Sequence, residues 1–420
     1  MNPVYRKVFV LVIALMVLFA VPAQAATKLV LWDWFDARAE LYKQAAERYK
    51  SVRPDVEVVV EVYPWDEFWT KLALASVTGV GPDMTQFHNE QYEKFEGQLA
   101  PFPDDLFPME EMNAEYLMFD QAFNLDGHFY YMPAGIMTGA VFYNVDLVTS
   151  AGFPGVPGSW DEMLEMARKL TRIDGSGTMT QAGFSAQDLG LFLDLLYQHG
   201  GFLFGEEGVT WGDAAGREAM LMLNRIYSSG VSDTPAQPVS GSFEGGQVAM
   251  RYNWTWYGAN LSYSDVSWDV APLPTPSGTG LPARGRNNYE VGLAVLATTT
   301  PEKQRLAFEF IKWLWDDDEF NVVDNKTLGR VPAKVSVWQL PEVMEDKVMR
   351  TLAEVAPYTV YAGTIPGWTW DVLYAAWDDV LNQRVDPLVA LENSVDVGNA
   401  LFKEQPPKWI VERRYTPPTR

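Results

Sequence analysis

Aromatic and polar residues follow three predicted strands in the first quarter of the chain. Trp34 and Asp36 lie where the first strand ends, Trp65 follows the second strand, and Asn89 and Glu90 follow the third. A flat aromatic ring covers the C–H face of a sugar, while carboxylates and amides bond its hydroxyl groups. These residue types at these positions predict a site that binds a polyhydroxylated solute.

Two of these residues have structural alternatives. Asp36 could cap the helix that follows the first strand instead of contacting a ligand. Trp65 could pack against Trp69, four residues further along a predicted helix. Both interpretations stay open at this point.

The predicted elements around these residues alternate between strand and helix. The order is strand, helix, strand, helix and strand, over residues 28–34, 37–51, 56–62, 66–77 and 84–87. The second strand is almost entirely valine on both faces, which is typical of a parallel strand buried on both sides. The pattern predicts an α/β unit with a parallel sheet.

A second unit starts near Asn144 with a further helix. Ser159 and Glu162 match a capping box at the start of this helix, which runs to about Leu170. More helices are predicted over 189–199, 217–228, 304–315, 343–355, 370–383 and 389–402. At 420 residues the chain is long enough for two or three domains.

Composition excludes several classes of function. The formal net charge is −23, and this argues against binding a nucleic acid, which requires clustered Lys and Arg. The chain has no Cys and three His, so we expect no metal site and no cofactor. No HExxH, phosphate-binding loop, dinucleotide fingerprint or Ser-His-Asp order occurs in a suitable context.

Residues 1–25 have the organisation of a secretory signal peptide. Arg6 and Lys7 precede an uncharged apolar run over 8–21, and a small-residue cleavage pattern ends at Ala25. The run is shorter than the roughly 20 residues that a membrane-spanning helix needs. We therefore expect an exported, soluble protein, located in a periplasm where an outer membrane exists.

Several motifs stand in an order that resembles a known family. They are Gly81-Pro82-Asp83-Met84, Tyr131-Met132-Pro133, Pro157 to Glu162, Phe243 to Met250, and Leu328 to Pro332. Together they resemble the extracellular solute-binding proteins of ABC importers, in the group that binds sugars and includes maltose-binding proteins.

The resemblance implies a two-lobed periplasmic-binding-protein fold with a ligand cleft between lobes joined by crossing strands. It implies a first lobe over 27–143 and 291–330, and a second lobe over 144–290 and 331–420. It also implies two kinds of partner, a carbohydrate ligand and the permease subunits of an ABC transporter. We expect the protein to act as a monomer.

The resemblance also assigns site residues. Phe87 and Glu90 match an aromatic residue and an acid that contact ligand in the family. Trp254 matches an aromatic platform, and Trp368 matches a late stacking residue, with Trp370 as its alternative. Asn287 and Asn288 precede the strand that returns to the first lobe, where they could bond hydroxyl groups or form a turn.

Two positions depart from the maltose-binding pattern. Gln91 stands where a basic residue is usual, and Met137 stands where a carboxylate binds ligand. These departures put maltose itself in doubt as the ligand, although a sugar or oligosaccharide remains the predicted solute.

Two other functions are possible. An anionic sugar or a glycerol phosphodiester would need cations in the cleft, for which Arg251, Arg284, Arg286 and Arg330 are available. A secreted carbohydrate-active hydrolase would need two carboxylates at a defined separation. Among 55 acidic residues such a pair is easy to nominate, so a pair in the sequence carries little information. We expect binding without catalysis.

Overall fold

The structure is a computed structural model that describes residues 26–186, 189–234, 237–261, 263–289 and 291–418. The predicted signal peptide lies outside these residues. Within them, no helix has the length and apolar character needed to cross a membrane.

The strands are numbered in chain order. They are β1 Thr27–Asp33, β2 Val56–Val62, β3 Met84–His88, β4 Met132–Pro133, β5 Gly135–Asn144, β6 Arg172–Ile173, β7 Met179–Gln181, β8 Met250–Trp254, β9 Trp268–Pro272, β10 Gly285–Asn288, β11 Val291–Val295, β12 Val331–Pro332 and β13 Thr359–Tyr361.

The helices are numbered in the same way. They are α1 Asp36–Tyr49, α2 Trp65–Thr78, α3 Met109–Glu115, α4 Phe119–Phe123, α5 Val145–Ser150, α6 Trp160–Leu170, α7 Gly190–Gln198, α8 Ala214–Ser228, α9 Tyr257–Leu261, α10 Pro301–Trp315, α11 Asp318–Thr327, α12 Pro341–Glu345, α13 Lys347–Val355, α14 Gly367–Leu381 and α15 Pro387–Glu404. Short 3-10 turns occupy Asn89–Phe95, Val335–Gln339, Ala356–Tyr358 and Glu412–Arg414.

The first sheet has the strand order β2-β1-β3-β11-β4. Strands β1, β2 and β3 are parallel, as the alternating pattern predicted, while β11 runs antiparallel to both β3 and β4. The carboxyl ends of the parallel strands therefore lie at one edge of this sheet, where open α/β sheets bind ligands. We call the elements around this sheet the first lobe.

The second sheet is built on the long strand β5. This strand pairs with β8, β9, β10 and β12, and β13 joins through β10. The predicted lobe boundary after residue 143 needs correction, because the whole of 135–144 pairs in the second sheet. The chain leaves the first sheet at residue 134, directly after β4. We call the elements around the second sheet the second lobe.

Two buried clusters hold these layers together. One includes Leu31 of the first sheet and continues to Phe142 on β5, so it extends across the crossing between the lobes. The other includes Trp160, Leu195 and Trp211, and it joins the helices of the second lobe. Burial of such large side chains is the main favourable term in folding.

Ser159 is confirmed as the N-cap of α6, and Glu162 reaches back to its hydroxyl group rather than to its backbone amide. The Glu162 amide donates to Ser159 Oγ at 3.4 Å, and this hydroxyl donates to Glu162 Oε2 at 2.8 Å. We expect Ser159→Ala to lower the free energy of unfolding by about 1 kcal/mol, because an amide at the helix start loses its acceptor. Urea unfolding measures this, with Ser159→Thr as the variant that keeps the cap. An equal loss in both variants would contradict a capping role.

The segment after α15, residues 405–418, contacts both lobes, and we call it the C-terminal segment. Towards the first lobe, the Lys408 amide donates to Glu93 Oε1 at 3.0 Å. Towards the second lobe, the Tyr197 hydroxyl donates to Glu412 Oε2 at 2.6 Å. The segment is therefore a non-covalent link between lobes that the crossing strands already join.

Candidate functional site

The lobes meet where β3 and β10 end. The side-chain amide of Asn89, in the turn after β3, donates to Asn288 Oδ1 at 2.6 Å. The Thr364 hydroxyl, from the loop before α14, donates to the Asn89 carbonyl oxygen at 2.9 Å. Asn89 is buried and Asn288 is half-buried. Segments of both lobes thus converge on the turn that contains Asn89.

An aromatic cluster lies beside this point in the first lobe. The Trp65 ring packs edge-on against Trp34, with 5.2 Å between ring centroids, and lies 5.8 Å from the His88 ring. It also packs against Trp69 at 5.3 Å, yet 44% of its surface stays exposed. The two interpretations of Trp65 are therefore compatible, since the ring packs against Trp69 and still keeps exposed surface.

A buried ion pair supports the loop that carries Trp34. Asp33 accepts hydrogen bonds from the backbone amides of Trp34 and Phe35 at 2.6 and 3.0 Å. Arg38 Nε donates to Asp33 Oδ2 at 2.9 Å, and the Arg38 guanidinium lies 4.7 Å from the centre of the Trp34 ring. The alternative in which Asp36 caps α1 is wrong, because Phe35 is the N-cap and Asp36 is exposed in the first turn.

Phe87 does not reach the surface, and this corrects its assignment as a ligand contact. It is completely buried, and its ring packs against Trp69, Phe95 and Tyr131. The reason is that β3 lies inside the first sheet, between β1 and β11, and all its residues are buried. In this conformation Phe87 supports the aromatic cluster from beneath.

The second lobe contributes an aromatic pair around a cation. Trp254 ends β8, opposite Gly139 of β5. The Arg286 guanidinium lies 4.5 Å from the centre of the Trp254 ring and 5.2 Å from that of Trp370. Trp254 and Trp370 are both half-buried, so each retains surface that a ligand could cover.

The two asparagines before β11 have different environments. Asn288 is half-buried at the junction of the lobes, where it accepts the bond from Asn89. Asn287 is only 2% exposed, and its amide donates to Thr359 Oγ1 at 2.9 Å. The prediction that Asn287 bonds a ligand is therefore wrong in this conformation, since its amide joins β10 to β13.

A groove of about 430 Å³ lies between the two lobes. Glu90 lines it from the first lobe, and Thr364, Trp368 and Trp370 line it from the second. Trp368 is half-buried, and its indole Nε1 donates to the Gln405 carbonyl oxygen at 3.3 Å. Glu90 is exposed, so its carboxylate is accessible in this groove.

Sequence reasoning missed the roles of two residues in this region. The sequence indicates Arg286 only as a possible charge for an anionic ligand, whereas the structure places its guanidinium over two indole rings. His88 was not assigned, yet its ring lies beside Trp65. Nothing in the local sequence pairs Arg286 with Trp254, because they come together only through the pairing of β10 and β8 with β5.

Within the described ranges, no cluster of acidic and histidine side chains could hold a metal ion.

Comparison with known proteins decides the family. The sequence model of a protein family, the bacterial extracellular solute-binding proteins, matches residues 36–319, which are well over half of the chain. The chain belongs to this family of bacterial extracellular solute-binding proteins.

This solute-binding protein has relatives with stated ligands. It is 24% identical to the arabinooligosaccharide-binding protein of Halalkalibacterium halodurans over 408 residues, which are 91% of this chain and 86% of the relative. Its fold matches that of the sugar-binding protein MalE from Xanthomonas citri with a TM-score of 0.76 and 19% identity, over 90% of this chain and 98% of the other.

A further solved structure has the same fold and a different kind of ligand. UgpB from Mycobacterium tuberculosis, in complex with glycerophosphocholine, matches with a TM-score of 0.73 and 19% identity, over 91% of this chain and all of the other. The structural matches confirm the predicted fold class of the solute-binding protein, a two-lobed periplasmic-binding-protein fold.

Proposed function

We propose that this protein captures a sugar or oligosaccharide between its lobes and delivers it to the permease of an ABC transporter. The observation that carries the proposal is the pairing of exposed indole surface with amide and carboxylate groups where the lobes meet. Trp65 contacts His88, whose neighbour Asn89 bonds Asn288 across the junction. Two residues before Asn288 on β10, Arg286 contacts Trp254.

The chemistry of these groups suits a neutral polyhydroxylated solute. Trp65 in the first lobe and Trp254 and Trp370 in the second offer apolar faces for sugar rings. Asn288 and Glu90 offer polar groups for hydroxyls, and Glu90 is exposed in the groove between the lobes. The sugar and arabinooligosaccharide ligands named for two similar proteins support the same class of solute.

Lobe closure follows from this arrangement. A solute that contacts both lobes stabilises the closed form more than the open form, and so shifts the population towards closure. In this proposal the closed form, as a monomer in the periplasm, docks on the permease. Asp36 remains a candidate contact at the exposed start of α1.

A thermal-shift screen of mono-, di- and oligosaccharides tests the proposal, because a ligand that binds only the folded state raises the melting temperature. Calorimetry then gives stoichiometry, and chromatography of the incubated sugars detects turnover. Stoichiometric binding without products supports the proposal. Product formation would support a hydrolase. Stabilisation by glycerophosphodiesters alone, lost at high salt, would favour the anionic class.

Trp254 gives the sharpest single-residue prediction for binding. We expect Trp254→Ala to weaken sugar binding by about 1–3 kcal/mol, because the sugar would lose the ring on which it stacks. The stacking of nucleic-acid bases on aromatic rings has this magnitude. Titration calorimetry measures the change. Trp256→Ala is the matched control, since that ring is 42% exposed two residues further along and outside the Arg286 stack. Equal affinities for wild type and Trp254→Ala would remove Trp254 from the site.

A further inference from the structure

Arg286 is a charged residue that packs against two aromatic rings of the second lobe. Its side chain is only 7% exposed, and its guanidinium lies between the indole rings of Trp254 and Trp370. The three residues come from β10, β8 and α14, which are far apart in the chain. A planar guanidinium can stack on two aromatic faces at once, and so it fixes the separation of the two rings.

A buried carboxylate connects the two strands that carry Arg286 and Trp254. Asp194 of α7 is fully buried. Its Oδ1 accepts the backbone amide of Arg286 at 2.7 Å, and its Oδ2 accepts the Tyr252 hydroxyl at 2.6 Å. Tyr252 lies two residues before Trp254 on the same strand. One side chain therefore ties β10 to β8 next to the residues that stack.

Two glycines make room for this carboxylate. A Cβ atom on Gly139 would lie 2.8 Å from Asp194 Oδ2, and one on Gly285 would lie 2.6 Å from Oδ1. Gly285 also has a φ of +151°, a backbone conformation that residues other than glycine rarely adopt. The strands β5 and β10 are thus shaped around Asp194, directly beside Trp254 and Arg286.

We propose that Arg286 and Asp194 are positioning residues for solute binding. Arg286 sets the spacing and tilt of the Trp254 and Trp370 rings, and Asp194 fixes the strand position from which Arg286 reaches them. The solute then contacts indole surface whose geometry exists before binding, which lowers the cost of ordering on association. This inference rests on the proposed function, because it assigns these rings to the sugar site.

The test compares Arg286→Lys with wild type, using the sugar that binds most tightly in the thermal-shift screen. Lysine keeps the positive charge but loses the planar group that stacks on both rings. We expect affinity to fall about five- to tenfold, because the rings must then be ordered when the solute binds. The near-ultraviolet circular dichroism of the ligand-free protein should also change, because the two indoles shift relative to each other. Asp194→Asn should change affinity and spectrum in the same direction.

Arg251→Lys is the matched control. Arg251 lies on β8, the strand that carries Trp254. Like Arg286 it stacks on an aromatic ring, but this ring is Tyr257, 4.8 Å away, and not Trp254 or Trp370. We expect this variant to bind sugar as wild type does. The melting temperature of each variant shows that it folds, and Arg286→Lys keeps the proposal testable if Asp194→Asn does not fold.

A double-mutant cycle separates positioning from general destabilisation. In a Trp254→Ala background, Arg286→Lys should weaken binding less than it does in the wild-type background, because only Trp370 is left for Arg286 to position. Independent effects that multiply would overturn the proposal, as would wild-type affinity in Arg286→Lys. These results leave the proposed function intact if wild type still binds sugar, whereas a wild type that binds no sugar overturns both.

Discussion

Arg38→Met should lower the free energy of unfolding by about 3–5 kcal/mol. Arg38 is 2% exposed and its partner Asp33 is fully buried, so the variant leaves a carboxylate in the core without its cation. Burial also raises the pKa of nearby Asp324, and Arg38 opposes that rise. Removal of Arg38 therefore destabilises the charged forms of two buried acids.

Urea unfolding of wild type and Arg38→Met measures this loss. Arg48→Met is the matched control on the same helix, because Arg48 is 51% exposed and its pair with Asp317 should contribute no more than about 1 kcal/mol. Adding Asp33→Asn to Arg38→Met should restore part of the stability, since the buried charge is then removed. Equal losses for Arg38→Met and Arg48→Met would contradict the role of burial.

Glu412→Gln should change how stability depends on pH. Burial raises the pKa of Glu412 from 4.5 to about 7. The hydrogen bond from the Tyr197 hydroxyl and those from the backbone amides of Phe204 and Leu203 lower this pKa, but by less than burial raises it. Between these two values the unfolded chain releases a proton that the folded protein still holds. Wild-type stability from this group is therefore greatest below about pH 4.5, and it falls as the pH rises to about 7.

Glutamine at this position does not titrate, so Glu412→Gln should gain stability relative to wild type as the pH rises. The relative gain between pH 4.5 and pH 7 should be on the order of 3 kcal/mol, from 1.36 kcal/mol per unit. Urea unfolding at several pH values measures it. Glu392→Gln, in a surface pair with Arg217 where the carboxylate is 62% exposed, provides the control. A constant difference between wild type and Glu412→Gln across this window would contradict the prediction.

Local sequence signals predicted the regular elements well. The valine-rich run over 56–62 became β2 with those bounds, and it is parallel to β1 as predicted. The prediction that it is buried on both sides is wrong, because β2 lies at the edge of the first sheet and only Val56 and Val58 are buried. Ser159 and Glu162 marked the start of α6, since a capping box needs only residues within one turn. Such signals depend on neighbours in the chain, and a single sequence contains them.

The site was only partly predictable, because its geometry depends on contacts between distant segments. Phe87 ends the third predicted strand, and Trp65 follows the second. Phe87 is completely buried, whereas 44% of the Trp65 surface is exposed. A strand that is buried on both faces, such as β3, lacks the apolar–polar alternation that would show which of its side chains reach the surface. Asn287 and Asn288 were likewise equivalent in sequence, until the pairing of β10 with β13 and β5 separated them.

The C-terminal segment also limits how the protein can be converted into a fluorescent biosensor. A reporter fused to the C-terminal segment would be attached to residues that contact both lobes. Strain on this segment would disturb the lobe closure that we propose and that the reporter should record. The turn between β6 and β7 is a better insertion point, because residues 174–178 are exposed. A Cβ atom on Gly175 or Gly177 would meet no neighbour within 4 Å, so this turn has space for an inserted domain.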